Sequence, residues 1–193
     1  ILDRLSTKAV RMQIPIGVES DFEGVVDLLS MKAYKFEGEM GKDVVACDIP
    51  ENLMADAAKY RAELIERIVE NDDAVMGDFL EGKEISIEVL KKTLRKGVIA
   101  NKIFPVLTGS SLKNKGVQLV LDAVVDYLPS PLEVPEAKGI NPDTGAGETR
   151  PASDSAPFAA LIFKLQVDPF VGALSFFRVY SGSLEAGTFV YDS

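Results

Sequence analysis

The thirty residues from Leu128 to Pro157, LPSPLEVPEAKGINPDTGAGETRPASDSAP, constrain this chain more than any others, because they hold six of its ten prolines. Proline lacks a backbone donor and its ring clashes inside a helix, so neither a helix nor a central strand can run through such a stretch. It reads as a linker with loops and little regular structure. Before it, apolar residues recur at both helical and strand spacing. Beyond it, FAALIFKLQVD, LSFFRVYSG and TFVYD carry strand patterns only, separated by turns.

The first part opens with MQIPIGV (Met12 to Val18), a short run read as a strand. Three antiparallel strands are expected near 24–29, 32–36 and 44–48, with a hairpin turn at Glu37 to Gly41. Pro50 and Glu51 open a long helix. Its buried stripe is Leu53, Ala57, Tyr60, Leu64 and Ile68, widened by Met54, Ala58, Ile65 and Val69. Glu63 and Arg67 stand four apart, a pairing worth about 0.2–0.5 kcal/mol. Asp72 or Asp73 can cap a short helix through Leu80, with Gly82 as its stop, and Ser86 caps a third. That third helix carries Ile87, Leu90, Leu94 and Val98 on one stripe and Lys91, Lys92, Arg95 and Lys96 outside it. After the strand Ile103–Leu107, the helix of 117–128 has only Gln118, Asp122 and Asp126 as polar residues, so it is expected to pack on several sides against a sheet.

Composition narrows the chemistry. The chain has no histidine, which removes Ser-His and Cys-His nucleophile pairs and most zinc sites. Its single cysteine, Cys47, permits no intrachain disulfide and favours a reducing, cytoplasmic setting. No apolar run reaches the roughly 18 residues of a membrane span. The net charge of −9 is uneven: residues 48–90 carry 12 acids against 4 bases, and residues 91–116 carry 7 bases and no acid. Two solvated helix faces explain this, and so does an acidic patch that draws a basic partner. So acidic a chain is a poor autonomous binder of nucleic acid.

Between the strand Ile103–Leu107 and the last helix lies the loop LTGSSLKNKG, small and polar. Strand, small loop and helix is how α/β sheets place ligand loops, because small residues let backbone N–H groups approach closely. The same pattern also serves as a plain connection.

TGSSLKNKGVQLVLDAVVDYLPSP, together with IPIG at 14–17, FEGVVDLLSMKAYKF at 22–36 and DPFVGALSFFRVYSGSLEAG at 168–187, resembles elongation factor G, in that family's order along nearly the whole chain. The resemblance implies an α/β fold: the latter part of a P-loop GTPase domain over 1–128 with an α+β insertion at about 19–100. A linker at 129–155 and the first strands of an all-β barrel at 156–193 would follow. It also implies that Gly109, Ser110, Ser111 and Leu112 meet the guanine base. Ser110 would steady the loop, the Ser111 amide would face the guanine O6 in place of the family's usual Ala, and Leu112 would pack beside the ring. GTP or GDP and Mg²⁺ are the implied cofactors of the parent protein, whose activity is GTPase-driven translocation. The implied partners are the ribosomal stalk protein, through acids such as Glu63, Glu66 and Glu70, and the small ribosomal subunit, through the β-barrel and Arg178. Sister translational GTPases, such as ribosomal protection proteins or release factors, and a non-enzymatic ribosome-docking module are the alternatives.

Several motifs of that family are missing from this text. No G-x-x-x-x-G-K-[ST] loop occurs, since Gly41-Lys42 continues with Asp43 and Gly82-Lys83 with Glu84. No Asn-Lys-x-Asp motif occurs either, and Asp21-Phe22-Glu23-Gly24 matches the switch signature at a β-turn, as a coincidence. The chain is therefore expected to be a fragment that neither binds GTP tightly nor hydrolyses it. Its open sheet edges, at Ile14–Val18 and Ile103–Leu107 and in the unfinished barrel, are expected to invite dimerisation.

Overall fold

The computed structural model describes residue 4 and residues 6–191. The chain divides into two compact units, Ile1–Leu128 and Pro129–Ser193.

In the first unit a four-stranded antiparallel sheet runs in the order β2 (Gln13–Ile16), β3 (Gly24–Asp27), β4 (Lys32–Glu37) and β5 (Asp43–Cys47). A separate parallel pair joins β1 (Ala9–Arg11) to β6 (Phe104–Val106). A single residue, Met12, links the two sheets: its N–H donates to Val106 O at 2.9 Å, and its carbonyl accepts from the Leu28 amide at 3.0 Å. The structure differs from the single strand expected over Met12 to Val18, of which Ile14–Val18 was to share a remnant sheet with Ile103–Leu107. In the structure the partner of β6 is Ala9–Arg11, and Gln13–Ile16 belongs to the insertion's sheet. Val10, Met12, Ile14 and Ile16 alternate without interruption and are all buried, so hydrophobicity carries no mark of the switch. The strand ends at Ile16 because Gly17, at φ +77°, turns the chain into a short 3-10 segment, Glu19–Asp21.

Three helices cover the sheet. α1 (Glu51–Val69) buries Ala57, Leu64, Ile68 and Val69, while Met54 and Ala58 of the expected stripe face outward. Arg61 fastens α1 to the end of β3 by donating to Leu28 O at 2.7 Å and to Leu29 O. Arg67 does not pair with Glu63. It bonds Glu70 at 3.2 Å and Thr7 O at 2.9 Å, which anchors the helix to the segment before β1.

Asp72, rather than Asp73, caps α2 (Asp73–Leu80), accepting from the amides of Ala74 and Val75, and it also meets Lys96 at 2.8 Å. The Lys96 hydrogen bond, then the cap, holds its carboxyl below the ordinary value. A depressed folded pKa stabilises above the unfolded value and is lost as pH falls through the folded one. Acid titration of Asp72→Asn, followed by circular dichroism, should show a shallower loss of stability below pH 4 than the parent chain; an identical acid limb would remove the pairing from the account.

Ser86 caps α3 (Ile87–Ile99) through the Val89 amide, and Leu90, Thr93, Leu94, Gly97 and Val98 face the core. Ile87, expected in the stripe, is exposed. α4 (Val117–Tyr127) departs most from expectation. Tyr127 is its one buried residue, while Leu121 and Val125 are 60% and 78% exposed. Leu119 and Ala123 pack inward, Lys91 of α3 meets Asp126 at 2.6 Å, and Val120, Leu121, Val124 and Val125 are exposed.

In the second unit the stretch read as a linker contains a hairpin, β7 (Ala137–Ile140) with β8 (Gly147–Arg150). Asn141 makes the turn possible, its Oδ1 accepting from the amides of Asp143 and Thr144. Pro135 and Pro151 flank this hairpin, Pro142 sits in its turn and none lies inside its strands, which is why composition alone conceals it. β9 (Ala159–Asp168) and β10 (Gly172–Ser181) form the long hairpin expected from the pattern. Thr188 to Tyr191, within the third expected strand, are not in a strand; Asp192 lies outside the described residues. No helix among the described residues is long and apolar enough to cross a membrane.

Candidate functional site

The loop after β6 is a miniature hairpin at the C-terminal end of that strand. The Ser110 N–H donates to Lys115 O at 2.8 Å and the Lys115 N–H returns to Ser110 O at 3.0 Å. A turn closes inside this bridge, the Asn114 N–H reaching Ser111 O at 3.2 Å. Asn114 sits at φ +52°, a left-handed conformation that asparagine tolerates. Gly109 is needed for space: a Cβ there would lie 2.7 Å from Lys115 O. Gly116, at φ +86°, then starts α4.

The four residues expected to meet a base therefore stand together. Gly109, Ser111 and Leu112 are exposed and Ser110 is half-buried. The amides of Ser111, Leu112 and Lys113 have no acceptor among the described residues. Leu112 is 86% exposed, a bare apolar side chain beside unpaired donors. Chemically this surface offers N–H groups to an acceptor-bearing planar ligand and a hydrophobic wall to its ring.

Three supports of the loop escaped sequence reading. Lys115 Nζ donates to Phe22 O at 2.9 Å. Gln118 Nε2 donates to Gly41 O at 3.3 Å and to Lys42 O at 3.4 Å. Gln13 Oε1 accepts from the Thr108 amide at 3.2 Å. The partners are 93, 77, 76 and 95 residues apart in the chain, a distance over which no local pattern speaks.

Glu63, Glu66 and Glu70 line one side of an open groove of about 590 Å³ between α1 and β1. The groove is less acidic than the sequence suggests. The Arg11 guanidinium lies 3.7 Å from the Tyr60 ring centroid, and Arg67 takes up the charge of Glu70. Arg178 is exposed on β10 in the second unit, 5.7 Å from the Tyr180 ring centroid. A smaller cavity of about 200 Å³ lies among Met12, Asp27, Tyr34, Asp126 and Tyr127. Burial, with Asp126 and Asp27 nearby, pushes the Tyr127 phenol well up from its ordinary value.

Comparison with known proteins bears on these features. Residues 157–193 match the family model for elongation factor G domain 2. A crystal structure from Thermus thermophilus superposes on 94% of this chain with a TM-score of 0.71 and 28% sequence identity. The resemblance to elongation factor G is borne out. The chain spans about a quarter (24%) of the length of that Thermus protein. The elongation factor G-like sequence of residues 157–193 includes β9 and β10, and the mixed α/β architecture extends across the first unit.

Proposed function

We propose that this elongation factor G-like chain serves in protein synthesis on the ribosome, in the cytoplasm, and that the loop Gly109–Lys113 is its contact for a guanine base. The observation that carries the loop reading is that Ser111 is exposed after β6 and its amide has no acceptor among the described residues. That amide donates to the guanine O6, and Leu112 covers the ring edge. Adenine offers an amino donor at the corresponding position, which a backbone N–H repels. The loop fits the base; the rest of a nucleotide finds no such fit. No glycine-rich phosphate loop exists in the sequence, and no group of acids or cysteine among the described residues could hold a metal ion. One neutral hydrogen bond contributes about 0.5–1.5 kcal/mol net. Base contact by this chain is therefore weak, and GTP turnover is not among its activities.

Titrating the ¹⁵N-labelled chain with GDP and separately with ADP tests this. GDP should move the Ser111 and Leu112 amide signals at millimolar concentration and ADP should not, with no phosphate released from GTP. Equal shifts with both nucleotides, or measurable GTP turnover, would overturn the reading.

The ribosomal partner surface is proposed at the exposed acids Glu63 and Glu66 of α1, where a basic face of the stalk protein would meet the groove; Arg178 would approach the small subunit. Glu63→Lys with Glu66→Lys should weaken binding to the stalk protein several-fold and flatten its salt dependence. Unchanged binding by the doubly reversed chain would remove α1 from the interface.

A further inference from the structure

The loop is held by the tip of the insertion's sheet as well as by its own hairpin. Between β4 and β5 the chain makes a tight 3-10 turn, Glu39–Gly41, entered through Gly38 at φ +74°. Gly41 is buried at φ +59°, and a Cβ on it would lie 3.2 Å from Lys113 O and 3.3 Å from Asn114 O. The turn thus lies against the loop, with the carbonyls of Lys113 and Asn114 and the Lys115 side chain all within 3.3 Å of where a Gly41 Cβ would stand. Gln118, one residue into α4, donates to the carbonyls of Gly41 and Lys42 from the other side. Lys115, whose backbone closes the loop, sends its ammonium to Phe22 O at the start of the β3 hairpin. Beneath these contacts Phe22, Val25 and Phe36 form a small apolar cluster of their own, with Leu119 of α4 packed against it. A Cβ on Gly116 would stand 3.6 Å from the Phe36 ring.

From this geometry we propose that Gly41 and Lys115 are positioning residues. The β4–β5 turn and the Lys115–Phe22 bond fix the shape of a loop in which the Ser111 amide has no acceptor among the described residues, so the ligand affinity of the loop is set from the insertion's sheet. Displacing that turn, by substitution or by a partner seated on the sheet's end, loosens the Ser110–Lys115 bridge and changes how the Ser111 amide is presented. The proposal rests on the guanine reading for the identity of the ligand, and on the contacts above for the coupling itself.

Amide hydrogen exchange on the full chain tests the coupling without a ligand. In Lys115→Met and in Gly41→Ala, the protected amides of Ser110, Asn114 and Lys115 should exchange at least tenfold faster than in the parent chain. The Ser111 amide signal should shift; the melting temperature of Lys115→Met should stay within a few degrees, while Gly41→Ala, at φ +59°, should melt lower because it adds left-handed strain. Lys115→Arg, which keeps a donor within reach of Phe22 O, should restore the parent exchange rates and the parent Ser111 shift. Unchanged exchange at 110–115 in both variants would overturn the proposal, and so would loss of the whole fold in both, because the contacts would then be general core. GDP added to the parent chain keeps the two ideas apart. No movement of the Ser111 amide sinks the guanine reading, while the exchange rates still decide whether the insertion holds the loop. If GDP does move it, Lys115→Met should need at least threefold more GDP for the same shift.

Discussion

Leu90→Ala is expected to destabilise the first unit by about 2–5 kcal/mol, the range for a buried leucine cut back to a methyl group where the surroundings close only in part. Leu90 has no exposed surface and stands in the first turn of α3. It belongs to the core cluster that unites Leu28 and Leu29 after β3, Leu64 and Ile68 of α1, and Leu94 of α3. The cavity would open where two helices meet the sheet, so no single element can shift to fill it. Leu90→Met preserves volume and should cost less than about 1.5 kcal/mol. Urea unfolding followed by far-ultraviolet circular dichroism measures both. A loss below about 1 kcal/mol for the alanine variant, well under the usual range, would mean that α3 does not insert its N-terminal turn into the core.

Gly17→Ala is the second substitution with a large expected effect, and it acts through the backbone. Gly17 turns the chain out of β2 at φ +77°, and a Cβ there would fall 1.9 Å from Asp21 O and 2.7 Å from the Asp21 carbonyl carbon. Left-handed strain on a non-glycine residue costs about 1–3 kcal/mol. Forcing the neighbouring backbone aside adds about 1–3 kcal/mol more. The two together could unfold a domain of ordinary stability, or pull β2 out of register with β3, where Ile16 faces Gly24. Gly77→Ala is the contrast. Gly77 lies inside α2 with open space around its Cβ position, and alanine there should stabilise by about 0.5–1 kcal/mol. Thermal melts of the two variants should move in opposite directions; a parent-like Gly17→Ala would refute the close approach to Asp21.

Particular elements show how much of the fold was legible in the sequence. α1, α2 and α3 were readable in position and in most of their buried faces, because a 3.6-residue period and a capping residue are local signals. The hairpins β3–β4–β5 and β9–β10 were readable for the same reason, through alternation and glycine turns. The sheet switch at Met12 was not readable, because Val10, Met12, Ile14 and Ile16 keep one unbroken alternation while their hydrogen-bond partners change. The β7–β8 hairpin was hidden by proline-rich flanks. The packing of α4 was overread: a mostly apolar helix implies a covering on several sides, yet only the side carrying Leu119, Ala123 and Tyr127 is covered among the described residues.

The loop Gly109–Lys113 divides in the same way. Its small residues, its place between strand and helix, and the textual resemblance could be read from the residues in order, since each is a property of neighbours in the chain. Its shape could not. The backbone bridge from Ser110 to Lys115 leaves the Ser111 amide open, and that bridge is framed by Phe22 and Gly41, which lie more than sixty residues away in the chain. What the amino-acid sequence determined by itself was where α1, α2, α3 and the hairpins β3–β4–β5 and β9–β10 run, and which residue types line the loop, because propensity, periodicity and capping act within a few residues. Only the tertiary structure decided which strand pairs with which and what holds the loop open. Hydrogen bonds between distant backbone groups leave no trace in local composition.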